Sequence, residues 1–190
     1  MRGNNAATIS LGFLFLAVTE WMTSAVGAGW YAMPYPALTM GASFGLGVVA
    51  LFVVGILAVR GEDALNGTVF LAWAGFYLAG LVAYLWTPAH AVPPAGLTAW
   101  FLLFWGIFAL FLWLAVMGGG LVRGLFLLGQ WVSLVLLAAS TWTHADTVGL
   151  VGYYVAMASA LAALYLAAGT IVNFAQRRVL LHGCGFIEEY

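Results

Sequence analysis

The chain has 190 residues, of which 65% are hydrophobic and only 6% are charged, and its formal net charge is −1. A soluble domain carries about 25% charged residues, so a chain of this composition cannot cover its exterior with water-exposed side chains, and we predict an all-α, polytopic membrane protein. The small net charge also excludes a basic surface for nucleic acid.

Six apolar runs follow one another along the chain, and each has the roughly 20 residues that cross a bilayer as a helix. In chain order they cover about 9–28, 37–59, 65–86, 97–117, 121–142 and 147–173. Short polar, proline-containing or glycine-rich segments separate them. We therefore predict one six-helix transmembrane domain over residues 1–190.

The arginines predict how the chain is oriented in the membrane. Arg2 precedes the first run, Arg60 follows the second, Arg123 lies at the junction of the fourth and fifth, in the first turn of the fifth, and Arg177 and Arg178 follow the sixth. With six crossings, all five fall on the same side of the bilayer, which the positive-inside rule assigns to the cytoplasm. The expectation is a multi-pass protein of the cell membrane with both termini cytoplasmic.

Glu20 lies within the first apolar run, roughly 16 Å from its start at 1.5 Å per residue. Thr23 and Ser24 share its helical face, and an acid at this depth costs about 2.5–3.5 kcal/mol to insert. Two interpretations remain open. Glu20 is either a neutral acid that is hydrogen-bonded between helices, or a protonation switch that repels an anion when ionised and donates a hydrogen bond to it when protonated.

Other polar side chains inside the runs allow the same two interpretations. Ser and Thr hydroxyls often connect helices, at about 0.6 kcal/mol per hydrogen bond, but several together can line a narrow solute path. An acid in such a path would tolerate a neutral or cationic solute, such as urea or ammonia/ammonium, better than a carboxylate anion.

The sequence offers little for catalysis. It has no lysine for a Schiff base, a single cysteine, and three histidines that all lie outside the apolar runs. His144 and Asp146 form a closely spaced pair, which we interpret as part of a solvated turn. We therefore expect no cofactor, no metal and no enzymatic activity.

Four segments resemble the acetate uptake transporter family, which includes the bacterial succinate–acetate permeases. Residues Asn5–Leu11 are similar to the family's Asn-Pro-Ala-Pro-Leu-Gly-Leu signature, and Thr68–Tyr77 to its Thr-Ala-Phe-x-Ser-Tyr-Gly-Ser-Phe-Trp segment. Residues Phe104–Phe111 are close to its Leu-Trp-Gly-Val-Phe-Thr-Leu-Phe pattern, and Tyr165–Asn173 to its Tyr-Leu-Ala-x-Gly-Glu-x-x-Asn ending. The order and spacing of these segments match the family over nearly the full length.

This chain also departs from the family pattern. Ala6 and Thr8 replace the two prolines of the N-terminal signature, and Thr170 stands where the family usually has Glu. Glu20 has no obvious counterpart. The resemblance therefore implies a related path whose chemistry differs in detail.

The resemblance implies a six-helix protomer, typically assembled as a hexamer, with a path for acetate, succinate and related small carboxylates through each protomer. The carboxylate would pass either as through a channel or together with protons. The candidate path residues that it implies, together with Glu20 from the analysis above, are Asn5, Glu20, Phe70, Trp73, Phe76, Tyr77 and Gln130. A different class of function also remains open, namely a non-transporting structural subunit of a membrane complex.

Overall fold

The computed structural model describes residues 2–31, 39, 41–86 and 94–184, and within these ranges it is built from helices joined by short turns. Six of the helices are long and apolar enough to cross a membrane. They are α1 (Arg2–Gly27), α2 (Ser43–Arg60), α3 (Ala64–Trp86), α4 (Ala95–Ala115), α5 (Leu121–Thr143) and α6 (Asp146–Gln176). The predicted all-α class and the six membrane-spanning helices are confirmed. The beginning of the predicted second run, at residues 37, 38 and 40, lies outside the described residues.

Helix α2 is irregular in its first half. Ser43–Ala50 form a π-helix, and the chain continues as a regular α-helix from Leu51 to Arg60. A π-helical segment has one extra residue per turn, so the side chains before and after it point in different directions from those of a regular helix. Gly47, in this segment, lies close to Thr19 of α1 and Tyr77 of α3.

Small residues bring α1, α5 and α6 close together. Helix α6 packs along both α1 and α5, while α5 also packs on α4 and α3 packs on α2. Ala156, Ala160, Ala163 and Ala167 of α6 are all buried, as expected for a stripe of small side chains between helices. Ser10 of α1 donates a hydrogen bond to the Ala167 carbonyl at 2.8 Å.

The alternating direction of the helices gives the bundle two different ends. The starts of α1 and α5 and the ends of α2 and α6 carry the five arginines, and we call this the arginine end. The ends of α1, α3 and α5 and the starts of α2, α4 and α6 form the opposite end. Large apolar side chains such as Leu85, Leu97 and Phe104 are exposed on the flanks, as expected for a surface that faces lipid.

Candidate solute path

A cavity of about 520 Å³ lies inside the bundle, towards the end opposite the arginines. All six helices contribute residues to its lining. Those near the end of the bundle include Ser24, Gly80, Thr98, Ser140 and Gly149. Its deeper walls are largely aromatic. The aromatic lining residues are Trp73, Phe76, Tyr77, Phe101, Trp105 and Tyr153.

The aromatic wall is tightly packed. Phe76 stacks on Phe101 with ring centroids 5.5 Å apart, and Trp105 meets Phe76 edge to face at 5.6 Å. Trp73 meets Trp105 edge to face at 6.2 Å. Such pairs prefer offset or edge-to-face geometry, and they give the cavity a rigid, mainly apolar surface with few hydrogen-bonding groups.

Glu20 and Gln130 line the cavity at its deep end, which we call the cavity floor. The side-chain Nε2 of Gln130 lies 2.6 Å from both carboxylate oxygens of Glu20 and 2.8 Å from the Ser159 hydroxyl. An amide nitrogen has two hydrogens, so one is shared by the carboxylate and the other is donated to Ser159. The Oε1 atom of Gln130 accepts a hydrogen bond from Trp73 Nε1 at 3.0 Å. One side chain thus joins α1, α3, α5 and α6.

Glu20 is 5% exposed, and that exposure is towards the cavity that it lines. The Tyr77 phenol lies beside both Glu20 and Thr23. Thr23 itself donates to the Thr19 and Glu20 backbone carbonyls at 2.9 Å and 3.1 Å. Among the described lining residues Glu20 has the only carboxyl group, and none of them is a lysine, arginine or histidine. A solute in the cavity would therefore meet one acid and no base from these residues.

Three phenylalanines close the bundle between the cavity floor and the arginine end. The rings of Phe13 and Phe70 meet edge to face at 5.3 Å, and those of Phe13 and Phe126 at 5.7 Å. Phe13 is 2% exposed, and Phe70 and Phe126 are fully buried. Phe70 and Phe126 precede Trp73 and Gln130 by about one helical turn. We call these three side chains the aromatic barrier.

Polar and charged residues follow the aromatic barrier on its other side. The guanidinium carbon of Arg123 lies 6.0 Å from the centroid of the Phe13 ring, within the range of a cation–π interaction. Arg123 also interacts electrostatically with Asp63. Asn66, which is 2% exposed, donates its side-chain amide to Asp63 at 2.7 Å. The barrier therefore separates an acid on one side from a cation on the other.

The structure brings five of the seven predicted path residues together around the cavity. They are Glu20, Trp73, Phe76, Tyr77 and Gln130. Phe70 lies just beyond the floor, in the aromatic barrier. Asn5 lies apart from the others at the arginine end, where its side chain donates to the Gly61 carbonyl at 2.9 Å. That these residues act on a solute remains a prediction.

The sequence analysis did not select Phe13, Phe126 or Ser159. Ser159 is a polar residue inside a predicted span, which is a signal for a buried hydrogen bond, and it donates to the Phe126 carbonyl at 3.0 Å. Phe13 and Phe126 give no such signal, because a phenylalanine in an apolar helix can face either lipid or another helix.

The fold matches that of a solved bacterial protein. That structure, described as the bacterial acetate channel SatP, superposes with a TM-score of 0.84 and covers 92% of this chain and 96% of its own, at 20% sequence identity. No family model matches the sequence, and no curated protein sequence matches it either. The resemblance to the acetate uptake transporters is thus borne out at the level of the fold.

Proposed function

We propose that this chain is a membrane channel or transporter for small monocarboxylates such as acetate, and that the cavity is one vestibule of its path. The observation that carries the proposal is a cavity of about 520 Å³ within a single chain, ending at the hydrogen-bonded pair of Glu20 and Gln130. Ligand sites of this size, mainly apolar with a few polar groups, are typical of small-molecule binding. The fold shared with a protein described as an acetate channel supports the same function.

The chemistry of the floor suggests how protons enter the process. An ionised Glu20 places a negative charge where the carboxylate of the solute has to pass, and like charges repel strongly where water is scarce. A protonated Glu20 has an O–H group to donate to that carboxylate, while Gln130 and Trp73 keep the acid in place. Passage is therefore favoured when Glu20 carries a proton.

The aromatic barrier gives the path a closed state. Phe13, Phe70 and Phe126 leave almost no exposed surface between them, so a solute at the floor needs a displacement of at least one ring to continue. An apolar constriction of this kind blocks ions because it offers no group to replace their hydration.

A second candidate function follows from the charge of the cavity. Because Glu20 is the single acid among the described lining residues, which include no base, the vestibule with Glu20 ionised suits a neutral or cationic solute such as urea or ammonium better than an anion. The two candidates predict opposite orders of preference between acetate and a cation of similar size.

A flux assay with purified protein in liposomes tests both candidates and the structural-subunit alternative. We expect uptake of radiolabelled acetate above that of protein-free liposomes, more at pH 5 than at pH 7.5, with less uptake of succinate, urea and methylammonium. Preferential uptake of urea or methylammonium would favour the second candidate. No flux of any of these solutes would favour a non-transporting subunit.

We further propose that the protein resides in the cell membrane with both termini in the cytoplasm and assembles as a homo-oligomer. The orientation rests on the arginines, and the hexamer rests on the family resemblance. In this orientation the cavity opens towards the outside, where a solute for uptake would enter.

A further inference from the structure

The chain reverses direction after α6. Helix α6 ends at Gln176, and Arg177 adopts the left-handed backbone conformation with φ of 50°, which turns the chain back towards the bundle. Residues 177–184 then lie against the arginine ends of α5 and α6. We call them the C-terminal strap.

Asn173 of α6 holds the strap through its side chain. Its Oδ1 accepts hydrogen bonds from the backbone N–H groups of Leu180 and Leu181, both at 2.9 Å, and its Nδ2 donates to the Leu181 carbonyl at 2.8 Å. Asn173 is 7% exposed whereas Leu180 is 42% exposed, so the buried side of these bonds is formed by the Asn173 amide. A buried amide with all these partners satisfied is a specific clamp, because any shift of the strap leaves polar groups unpaired.

The end of the strap is seated in a slot on α6. Cys184 is 2% exposed and packs against Gly169, where even an added Cβ would collide with the cysteine sulfur. The Tyr165 hydroxyl donates to the His182 carbonyl at 3.2 Å. Burial raises the pKa of the Cys184 thiol, and the nearby Arg123 offsets this only in part.

The strap also contacts α5 next to the aromatic barrier. The Val122 N–H donates to the Gly183 carbonyl at 3.2 Å. The following residue, Arg123, lies over the Phe13 ring and interacts electrostatically with Cys184. Phe126 is one helical turn further along α5. The strap thus spans α6 and the turn of α5 that supports two of the three barrier rings.

We propose that the C-terminal strap locks the aromatic barrier in its closed state, and that release of the strap from Asn173 permits the path to open. The inference rests on the proposed function and names a regulation of that path. Phe126 is carried by α5, and Arg123 of the same helix lies over the Phe13 ring, so a shift of the arginine end of α5 relative to α6 would move both contacts of the barrier. The clamped strap, which is bonded to α5 at Val122 and to α6 at Asn173, resists that shift. The strap is a short terminal segment, held by the Asn173 hydrogen bonds and by the packing of Leu181 and Cys184, and a segment of this size can open locally without unfolding the domain.

The single cysteine of the chain provides a direct readout of strap release. We expect Cys184 in lipid nanodiscs to react slowly with a bulky water-soluble maleimide, because a buried thiol with a raised pKa is rarely a thiolate. Asn173→Ala removes the clamp, so labelling should become at least about tenfold faster, and acetate flux in liposomes should rise with it. Thr170→Ala is the matched control, since Thr170 is buried on α6 but bonds only the Leu166 carbonyl of its own helix.

A second variant covers the case in which Asn173→Ala does not fold. A chain ending at Arg178 lacks the rest of the strap and should also show raised flux. If Cys184 of Asn173→Ala is labelled fast but the flux of this variant is unchanged, the lock is overturned. Fast labelling of Cys184 in the wild type would overturn it as well. If the wild type transports acetate and no release variant transports more, the lock is rejected but the proposed function stands. No flux in any variant, including the released ones, rejects both.

Discussion

An acid inside a membrane helix is costly, and at Glu20 the protein offsets that cost with a dedicated partner. Gln130 approaches both carboxylate oxygens at 2.6 Å and is itself held by Trp73 and Ser159. Amide N–H groups can bond the carboxyl group in either protonation state, so the acid is retained with and without its proton. A carboxyl group that keeps its hydrogen-bond donor in both states and lies at the end of a cavity is suited to a proton-dependent step.

Replacing Glu20 should remove the pH dependence of anion passage. Glu20→Gln keeps the size of the side chain and one oxygen that can accept from Gln130, but it cannot ionise. We expect wild-type flux to be greater at pH 5 than at pH 9, and the ratio of the two to fall to near unity in the variant. Trifluoroacetate is the appropriate solute, because it remains an anion at both pH values and crosses lipid poorly.

Asp146→Asn is the matched control for this substitution. Asp146 is an exposed acid at the start of α6 and does not line the cavity. Its variant should keep the wild-type ratio. An unchanged ratio in Glu20→Gln would show that Glu20 only bonds helix to helix.

At the level of the helices, α1 and α3 meet at a glycine of α1. Gly12 of α1 faces the ring of Phe70, and a Cβ at this position would overlap that ring. Phe70 is fully buried and packs edge to face on Phe13, so an added Cβ at Gly12 would push the ring against its neighbours in the aromatic barrier. The position of the Phe70 ring in the aromatic barrier thus depends on the absence of a side chain at Gly12 of α1.

Gly12→Ala should lower the free energy of unfolding by about 1–3 kcal/mol, the usual cost of inserting a group into a packed core. Gly124→Ala in α5 is the matched control, because nothing lies within 4 Å of the Cβ that it adds. Alanine is a better helix former than glycine, by up to about 1 kcal/mol, so this control should be neutral or stabilising. Denaturant unfolding in detergent micelles measures both, and equal effects of the two substitutions would contradict the close approach at Phe70.

For the whole molecule, the six helices and their order could be predicted from the sequence, whereas the site could be predicted only in part. The length of each apolar run determines whether it crosses the bilayer, so composition alone indicated the helices. Glu20 and Gln130 could be selected as polar residues inside spans. Their contact, across 110 positions of the chain, depends on how α1 and α5 are rotated and packed, which neither helix specifies alone.

The aromatic barrier shows the same limit more clearly. Phe13 and Phe126 are fully or almost fully buried, whereas Phe104 and Phe111 are more than half exposed, at 65% and 62%. All four are phenylalanines in apolar helices, so residue type does not distinguish them. Small neighbours such as Gly12 determine which rings face inwards, and that information is spread over several helices.

The distribution of the arginines predicts the topology of the whole chain. A green fluorescent protein fused after the C-terminus should be fluorescent in bacterial cells, and alkaline phosphatase fused at the same place should be inactive, because the first requires the cytoplasm and the second an oxidising compartment. The reverse pair of results would place the arginine end outside and would direct the cavity to the cytoplasm.

Blocking the cavity chemically tests most directly whether it is the solute path. Thr98→Cys places a thiol on the cavity wall at the start of α4, and Thr143→Cys places one on the exposed end of α5, outside the lining. After reaction with a bulky thiol reagent, acetate flux through liposomes should be lost in Thr98→Cys, and excess acetate present during the reaction should slow that loss. The modified Thr143→Cys variant and the treated wild type should keep their flux. Full flux through a Thr98→Cys protein whose new cysteine is completely modified would contradict the account.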